Sequence, residues 1–315
     1  MAVLVYIESE NNNFKKSSYE ALSYGKALAE MMKKSLCGIV FNCSDFESLK
    51  AFGVDKILNI DNNELKDFSS KKYASAISEV IKSESINVVV LSSSPNSKFL
   101  GAHLSGMTES SFVSNVVELP DTIDPFVVKR TCFTNKAFST TELISDLKIL
   151  SIESNCFGLV EKLSDPKIEN FEIKVISSNQ KIKSIEKENG SVNIADAEIV
   201  VSGGRGLKGP ENWGMIEKLA DALGAATACS KPVSDMGWRP HSEHVGQTGK
   251  PVSSNLYIAI GISGAIQHIA GISSSKVKVV INNDPDAPFF KAADYGIIGD
   301  AFEIVPALTE KLEAR

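Results

Sequence analysis

Between His244 and Lys250 the chain reads HVGQTGK, which sets two glycines, an amide, a hydroxyl and two basic side chains within seven residues. Such a run could cradle a phosphate or line the edge of a polar ring. It is not a nucleoside-triphosphate P-loop. That motif needs a glycine where His244 stands and a Ser or Thr after the lysine to ligate magnesium, and here Pro251 follows Lys250.

Four further clusters carry the same kinds of residue. VVSGGRGLKGPENW surrounds Arg205 with glycines, and CSKPVSDMGW offers Ser230 and Lys231. IGISGAIQH offers Gly261, then Ser263, Gly264, Ala265, Ile266, Gln267 and His268, and INNDPDAP offers Asn282, Asn283 and Asp284. Each follows a short apolar run that reads as a strand. In an open parallel sheet, ligands sit outside the carboxyl ends of the strands. Glycines at such turns let backbone amides approach a phosphate, and a helix opening at Ser263 and Gly264 presents free N–H groups to an anion. A glycine there also often serves the turn alone; it is the succession of four junctions that favours a bound dinucleotide. The spacing is not G-x-G-x-x-G, and no acid about 20 residues on stands out as a ribose ligand.

Single residues leave alternatives open. His268, on an apolar helix, reads either as a buried histidine satisfied by a backbone carbonyl or as part of a site. Arg205 reads either as a brace for a glycine turn or as a ligand contact. His241, Glu243 and His244 do not complete a zinc set, so no metal is expected. No serine sits in a G-x-S-x-G elbow or a triad order, so no catalytic residue is expected.

The elements that must position these residues are α/β in pattern. Apolar runs at 3–7, 36–41, 56–60 and 86–91 alternate with amphipathic stretches. In SSYEALSYGKALAEMMKK, for instance, Leu22, Gly25, Leu28 and Met32 share a face. This is a βαβα parallel-sheet signature. From 112 to 176 the period becomes strand-like, in FVSNVVEL, PFVVKRTCF and LKILSIE, and adds strands to the same domain. The charged, Asn-rich stretch 179–198 reads as a linker. A second α/β unit follows, with strands at 198–203, 225–229, 256–261 and 276–281 and helices at 211–223, 264–271 and 306–314. The expected organisation is therefore two domains, 1–185 and 186–315, each on a mainly parallel sheet flanked by helices.

A chain of 315 residues with formal charge −6 has neither the basic footprint of a nucleic-acid binder nor a need for disulfides or metals to hold a core. Its five cysteines lack C-x-x-C spacing and are scattered, which points to free thiols in a reducing compartment. The opening MAVLVYIESE shows neither a basic segment nor a cleavage site. The most apolar window, Leu256 to Ile272, holds three glycines, Gln267 and His268, and falls short of a membrane span.

VVSGGRGLKGPENW, CSKPVSDMGW, HVGQTGK, GISGAIQH and INNDPDAPFFKAADYGIIGDAFEIVPAL, in that order, resemble the alpha subunit of electron-transfer flavoprotein. The first 180 residues share only the family's α/β layout and opening strand. The resemblance implies an FAD carrier without substrate chemistry of its own, paired with a beta subunit that holds any AMP. It implies electrons taken from dehydrogenases such as those oxidising acyl-CoA and passed to a membrane quinone oxidoreductase. It implies FAD in the second domain, the first providing partner contacts. By the same resemblance HVGQTGK lies under the flavin ring. Thr248 offers its hydroxyl to N5, and His268 stands at the O2 edge, where half-reduced flavin holds negative charge. Arg205, Ser230, Val245, Gly246, Gln247, Ser263, Gly264, Ala265, Ile266, Gln267, Asn282 and Asp300 match positions that contact the rest of the FAD. A bacterial cytoplasm is implied, or a mitochondrial matrix for a chain whose transit peptide has been removed.

Two positions depart from that pattern: Lys231 stands where arginine is usual, and His244 where glutamine is usual. A cation about 4 Å from reduced flavin is worth roughly 4 kcal/mol at an effective dielectric near 20, so Lys231 retains the charge while losing arginine's planar fork. A specialised paralogue, serving nitrogen fixation, carnitine reduction or bifurcation, fits the same motifs. A pyridine-nucleotide oxidoreductase would need a catalytic acid or base that the sequence does not nominate. Under any flavin reading, the crevice around Thr248 and His268 must be open.

Overall fold

A computed structural model of the chain describes residues 2–10, 12–133, 135–177, 182–184, 194 and 197–314. The linker expected at 179–198 falls largely outside them. The described chain forms two compact units, Met1–Cys132 with Phe138–Ile185, and Phe133–Ala137 with Glu186–Arg315.

The first unit is built on strands β1 (Ala2–Tyr6), β2 (Ser35–Phe41), β3 (Lys56–Ile60), β4 (Ile86–Leu91), β5 (Ser111–Val116), β6 (Phe126–Cys132), β7 (Ala137–Glu142), β8 (Lys148–Ile152) and β9 (Lys167–Asn170), in the order β7-β6-β5-β8-β4-β1-β2-β3-β9. The pairings from β5 through β9 across this order are parallel, and β6 meets β5 antiparallel. β1 is apolar without interruption because both faces of the sheet are covered. Val3 and Val5 enter one core with helix α1 (Lys16–Met31), while Leu4 and Tyr6 enter the other with α2 (Ser70–Ser83) and α3 (Pro95–Thr108). Leu22, Gly25 and Leu28 form the inner face of α1. A methyl on Gly25 would lie 2.5 Å from Val5, so this glycine lets helix and sheet approach closely. β7 and β9 are strands that the sequence does not announce, since AFSTTE and KIEN are polar and largely exposed.

The second unit is a five-stranded, wholly parallel sheet of β10 (Ile199–Gly203), β11 (Ala226–Cys229), β12 (Leu256–Ile260), β13 (Val277–Asn282) and β14 (Tyr295–Ile298), in the order β11-β10-β12-β13-β14. The strand period of two separates its cores. Val201, Ile258, Ile260 and Ile281 pack under helices α4 (Gly214–Leu223) and α7 (Ala301–Glu313). Val200, Tyr257, Ala259 and Val280 face Val245, Val252, Ile272 and Phe289 on the other side. Short helices α5 (Lys231–Asp235) and α6 (Ile266–Gly271) follow β11 and β12. α4 ends on Gly224 in the left-handed conformation, whose N–H returns to Ala220 and Asp221.

Two helix starts and one strand differ from the sequence expectation for local reasons, besides a start of α4 at Gly214 where 211 is expected. α6 begins at Ile266 because Gly264 has φ +86 and cannot be helical. α7 begins at Ala301, five residues ahead of Pro306, because the Asp300 carboxylate accepts the Phe302 N–H at 2.9 Å and caps the helix. β14, an exposed edge strand reading YGII, has no place among the expected strands. Among the described residues, no helix is long and apolar enough to cross a membrane.

Candidate functional site

Strand order in the second unit reverses at β10, which is flanked by β11 on one side and β12 on the other. That switch point opens a crevice beyond the carboxyl ends of the strands. A cavity of about 630 Å³ lies there. Its walls come from the segments following β10 (Arg205, Gly206), β11 (Ser230, Lys231, Pro232, Asp235), β12 (Gly261, Ile262, Ser263, Ala265, Gln267, His268) and β13 (Asn282, Asp284), and from the loop His244–Thr248.

Backbone contact, with no room for side chains, holds these segments together. Gly204 N–H donates to Ile260 O at 2.8 Å and Gly206 N–H to Gly261 O at 3.0 Å. A methyl on Gly204 would fall 2.1 Å from that same Gly261 oxygen. The loop 244–250 is tied down at both ends. Val245 N–H donates to Cys229 O at 3.0 Å, Gln247 N–H to Gln267 O at 2.8 Å, and Lys250 N–H to His244 O at 2.8 Å. Gly264 meets the backbone of Phe289 so closely that an added methyl would lie 2.5 Å from its nitrogen.

The polar side chains divide into committed and free groups. Asn282 donates to Ile262 O at 3.1 Å and accepts from Asp284 N–H at 3.0 Å, so it shapes the rim. Glu243 is gripped through both oxygens by Arg239, at 2.8 and 2.6 Å, and Arg239 also reaches Glu217 and stacks over Trp213. His268 is buried, and its Nε2 pairs with the Tyr257 hydroxyl at 2.9 Å. Its Nδ1 makes no hydrogen bond of normal geometry. His244 is also buried, its ring 5.2 Å from that of His241, and its Nδ1 is likewise unpaired.

Burial is the main cause that pushes His268 down to about 4. Repulsion from His244 adds to it, and a hydrogen-bonding interaction with the Val245 backbone pulls the other way. His244 is also lowered, first by burial and then by His241, with Asp235 pulling the other way and Lys231 adding to the depression. Both imidazoles are therefore neutral near pH 7. Each is a lining residue with a buried ring nitrogen that lacks a hydrogen-bond partner, a cost that a polar ligand reaching it would relieve.

The structure gathers Arg205, Ser230, Lys231, Val245, Gly246, Gln247, Thr248, Ser263, Ala265, Gln267, His268 and Asn282 around this one cavity. Gly264, Ile266 and Asp300 do not line it. Gly264 supports the turn beneath it, Ile266 projects largely into solvent, and Asp300 caps α7. Pro232 and Asp235 line it although sequence reasoning did not single them out, while His244 and Asp284 line it from clusters that reasoning had named. Among the described residues, no three His, Cys, Asp or Glu side chains cluster as a metal site.

Residues 3–176 match the family model described as the electron transfer flavoprotein domain, and residues 193–273 match the electron transfer flavoprotein FAD-binding domain. The chain is similar to the electron transfer flavoprotein subunit alpha of Bacillus subtilis strain 168, with 32% identity covering 99% of this chain and 97% of that one. It is similar to the protein of the same name in Pseudomonas aeruginosa, with 32% identity covering 98% and 99%. The similarity to the Paracoccus denitrificans protein rises to 56% over a shorter stretch, 38% of this chain and 39% of that one.

Proposed function

This chain belongs to the family of electron transfer flavoprotein alpha subunits, and from that premise we propose that it is the FAD-holding half of a heterodimeric electron carrier. In this reading it takes electrons from dehydrogenases, such as those acting on acyl-CoA, and passes them to a membrane quinone oxidoreductase. The beta subunit completes the carrier and holds any AMP. The observation that carries the reading is the cavity at the switch point of the second unit, which coincides with the FAD-binding match and has two buried imidazole nitrogens without partners.

The bound flavin supplies the redox chemistry, accepting and releasing electrons singly or in pairs. The chain's part is to bind, orient and bias. Gly204, Gly246 and Gly261 keep the walls thin enough for backbone amides to serve as contacts. Arg205 and Lys231, the cations among the lining residues, favour negative charge in the cavity. Thr248 and His268 are the groups we assign to the ring's N5 and O2 edges, and Ser230, Gln247, Ser263 and Gln267 to its remaining polar contacts. Partner contacts are assigned to the first unit, in which a bound cofactor is not part of the proposal.

The test is purification of the chain co-expressed with its beta partner. The complex should be yellow, with one FAD per heterodimer, and Thr248→Ala and His268→Ala should each shift the flavin midpoint potential by tens of millivolts. A colourless complex that cannot be reconstituted with FAD overturns the proposal.

A further inference from the structure

Tyr257 is wholly buried in the middle of β12, on the face that meets α6, and its hydroxyl lies 2.9 Å from Nε2 of His268. Burial holds the phenol well above its ordinary range, so it keeps its proton. That proton has one acceptor in hydrogen-bonding geometry, His268 Nε2. Ser202 Oγ, on the adjacent β10, is a second hydrogen-bonding neighbour of the phenol, but it makes no hydrogen bond of normal geometry. The two ways of sharing hydrogen between the pair are not equivalent. If the phenol donates, Nε2 is the unprotonated nitrogen and the neutral ring carries its hydrogen on Nδ1. If instead Nε2–H donates, the phenol hydrogen is left with only the poorly aligned Ser202 Oγ, which is the more costly outcome.

We propose that Tyr257 is a positioning residue that locks His268 in the Nδ1–H tautomer, so that the imidazole meets a bound flavin as a neutral hydrogen-bond donor. Nδ1 makes no hydrogen bond of normal geometry, with the Val245 backbone its weak competitor, on a ring that lines the cavity, so the donor is available to a ligand. The rings of Phe289 and Tyr257, each with its centroid 6.0 Å from that of His268, pack beside the imidazole. The hydroxyl therefore acts on the cavity through His268 without touching its contents. The role toward the cofactor rests on the flavin reading above; the tautomer itself does not.

The experiment is nitrogen-15 NMR of the chain in complex with its beta partner, labelled at histidine, before and after removal of FAD. The chain has four histidines, and His268→Gln identifies the signal in question. In the wild-type complex near pH 7, Nδ1 should carry the proton and Nε2 should be bare. Tyr257→Phe should release this preference and weaken FAD binding about ten-fold, the size of one hydrogen bond, with the thermal midpoint nearly unchanged. A wild-type His268 that is protonated on Nε2 overturns the inference even if the variant fails to fold. So does an unaltered tautomer in Tyr257→Phe. An altered tautomer with unchanged FAD affinity and potential overturns the link to the cofactor. A wild-type complex that takes up no FAD overturns the flavin reading and leaves the tautomer measurement standing.

Discussion

The backbones of Gly246 and Gly271 touch: a methyl built on Gly271 would lie 2.6 Å from the Cα of Gly246 and 2.7 Å from its nitrogen. The last residue of α6 is thereby pressed against the loop that carries Gln247 and Thr248. Alanine ordinarily favours a helix over glycine by up to about 1 kcal/mol. Here the backbone cannot yield as a flexible side chain would, and the sign reverses. Gly271→Ala should destabilise the chain by about 2 kcal/mol or more, within the range for overpacking, and lower FAD retention. Gly106→Ala, in α3 with nothing within 4 Å of the added methyl, should be neutral or stabilising. Urea unfolding of both variants checks the contrast; equal effects would mean that the contact yields.

Acid should destabilise the second unit through His268. Its pKa falls from 6.5 to about 4 on folding because burial disfavours the charged ring. The unfolded chain thus binds a proton at a higher pH than the folded one. Stability from this group is complete above about pH 6.5 and is lost as pH falls toward 4, by roughly 3 kcal/mol, since each tenfold difference in proton affinity between the two states is worth about 1.4 kcal/mol. His244, displaced in the same direction, adds to the slope. Denaturant midpoints at pH 7 and pH 4.5 should differ less in His268→Gln, which leaves Tyr257 an acceptor. An equal acid slope in that variant would assign the effect elsewhere.

Arg239 should resist conservative replacement. Its guanidinium grips Glu243 at 2.8 and 2.6 Å, reaches Glu217 at 3.1 Å and lies 5.3 Å from the Trp213 ring. Lysine keeps the charge but cannot form the fork. Arg239→Lys should cost about 1–3 kcal/mol and speed amide exchange in the turn leading to His244, whereas Glu217→Gln, on the more exposed partner, should cost less than about 1 kcal/mol. Hydrogen exchange followed by mass spectrometry resolves the two.

The strands that frame the cavity were legible because β10 to β13 are short apolar runs followed by glycine and polar residues, a local pattern with a direct physical cause. β14 was not, since an exposed edge strand needs no apolar run. The cavity residues after each strand could be named because ligand-type residues recur at the same point of each βα unit. Their burial could not. Nothing in LYIAIG says that Tyr257 faces α6, nor does HSEHVG show that His244 turns inward beside Cys229, because both depend on which sheet face the chain returns to. Asp300 shows the converse. Its place before a helix reads locally as a cap, and that is the bond it makes.

The cavity draws its walls from segments as far apart in the chain as Arg205 and Asp284, joined through the pairing of β10 with β12 and β12 with β13. A nascent polypeptide therefore has no pocket until Val277–Asn282 has emerged from the ribosome and docked beside its neighbour. Loading of this unit is necessarily a late event in its biogenesis, and a fragment ending before that strand would be born without a place to load.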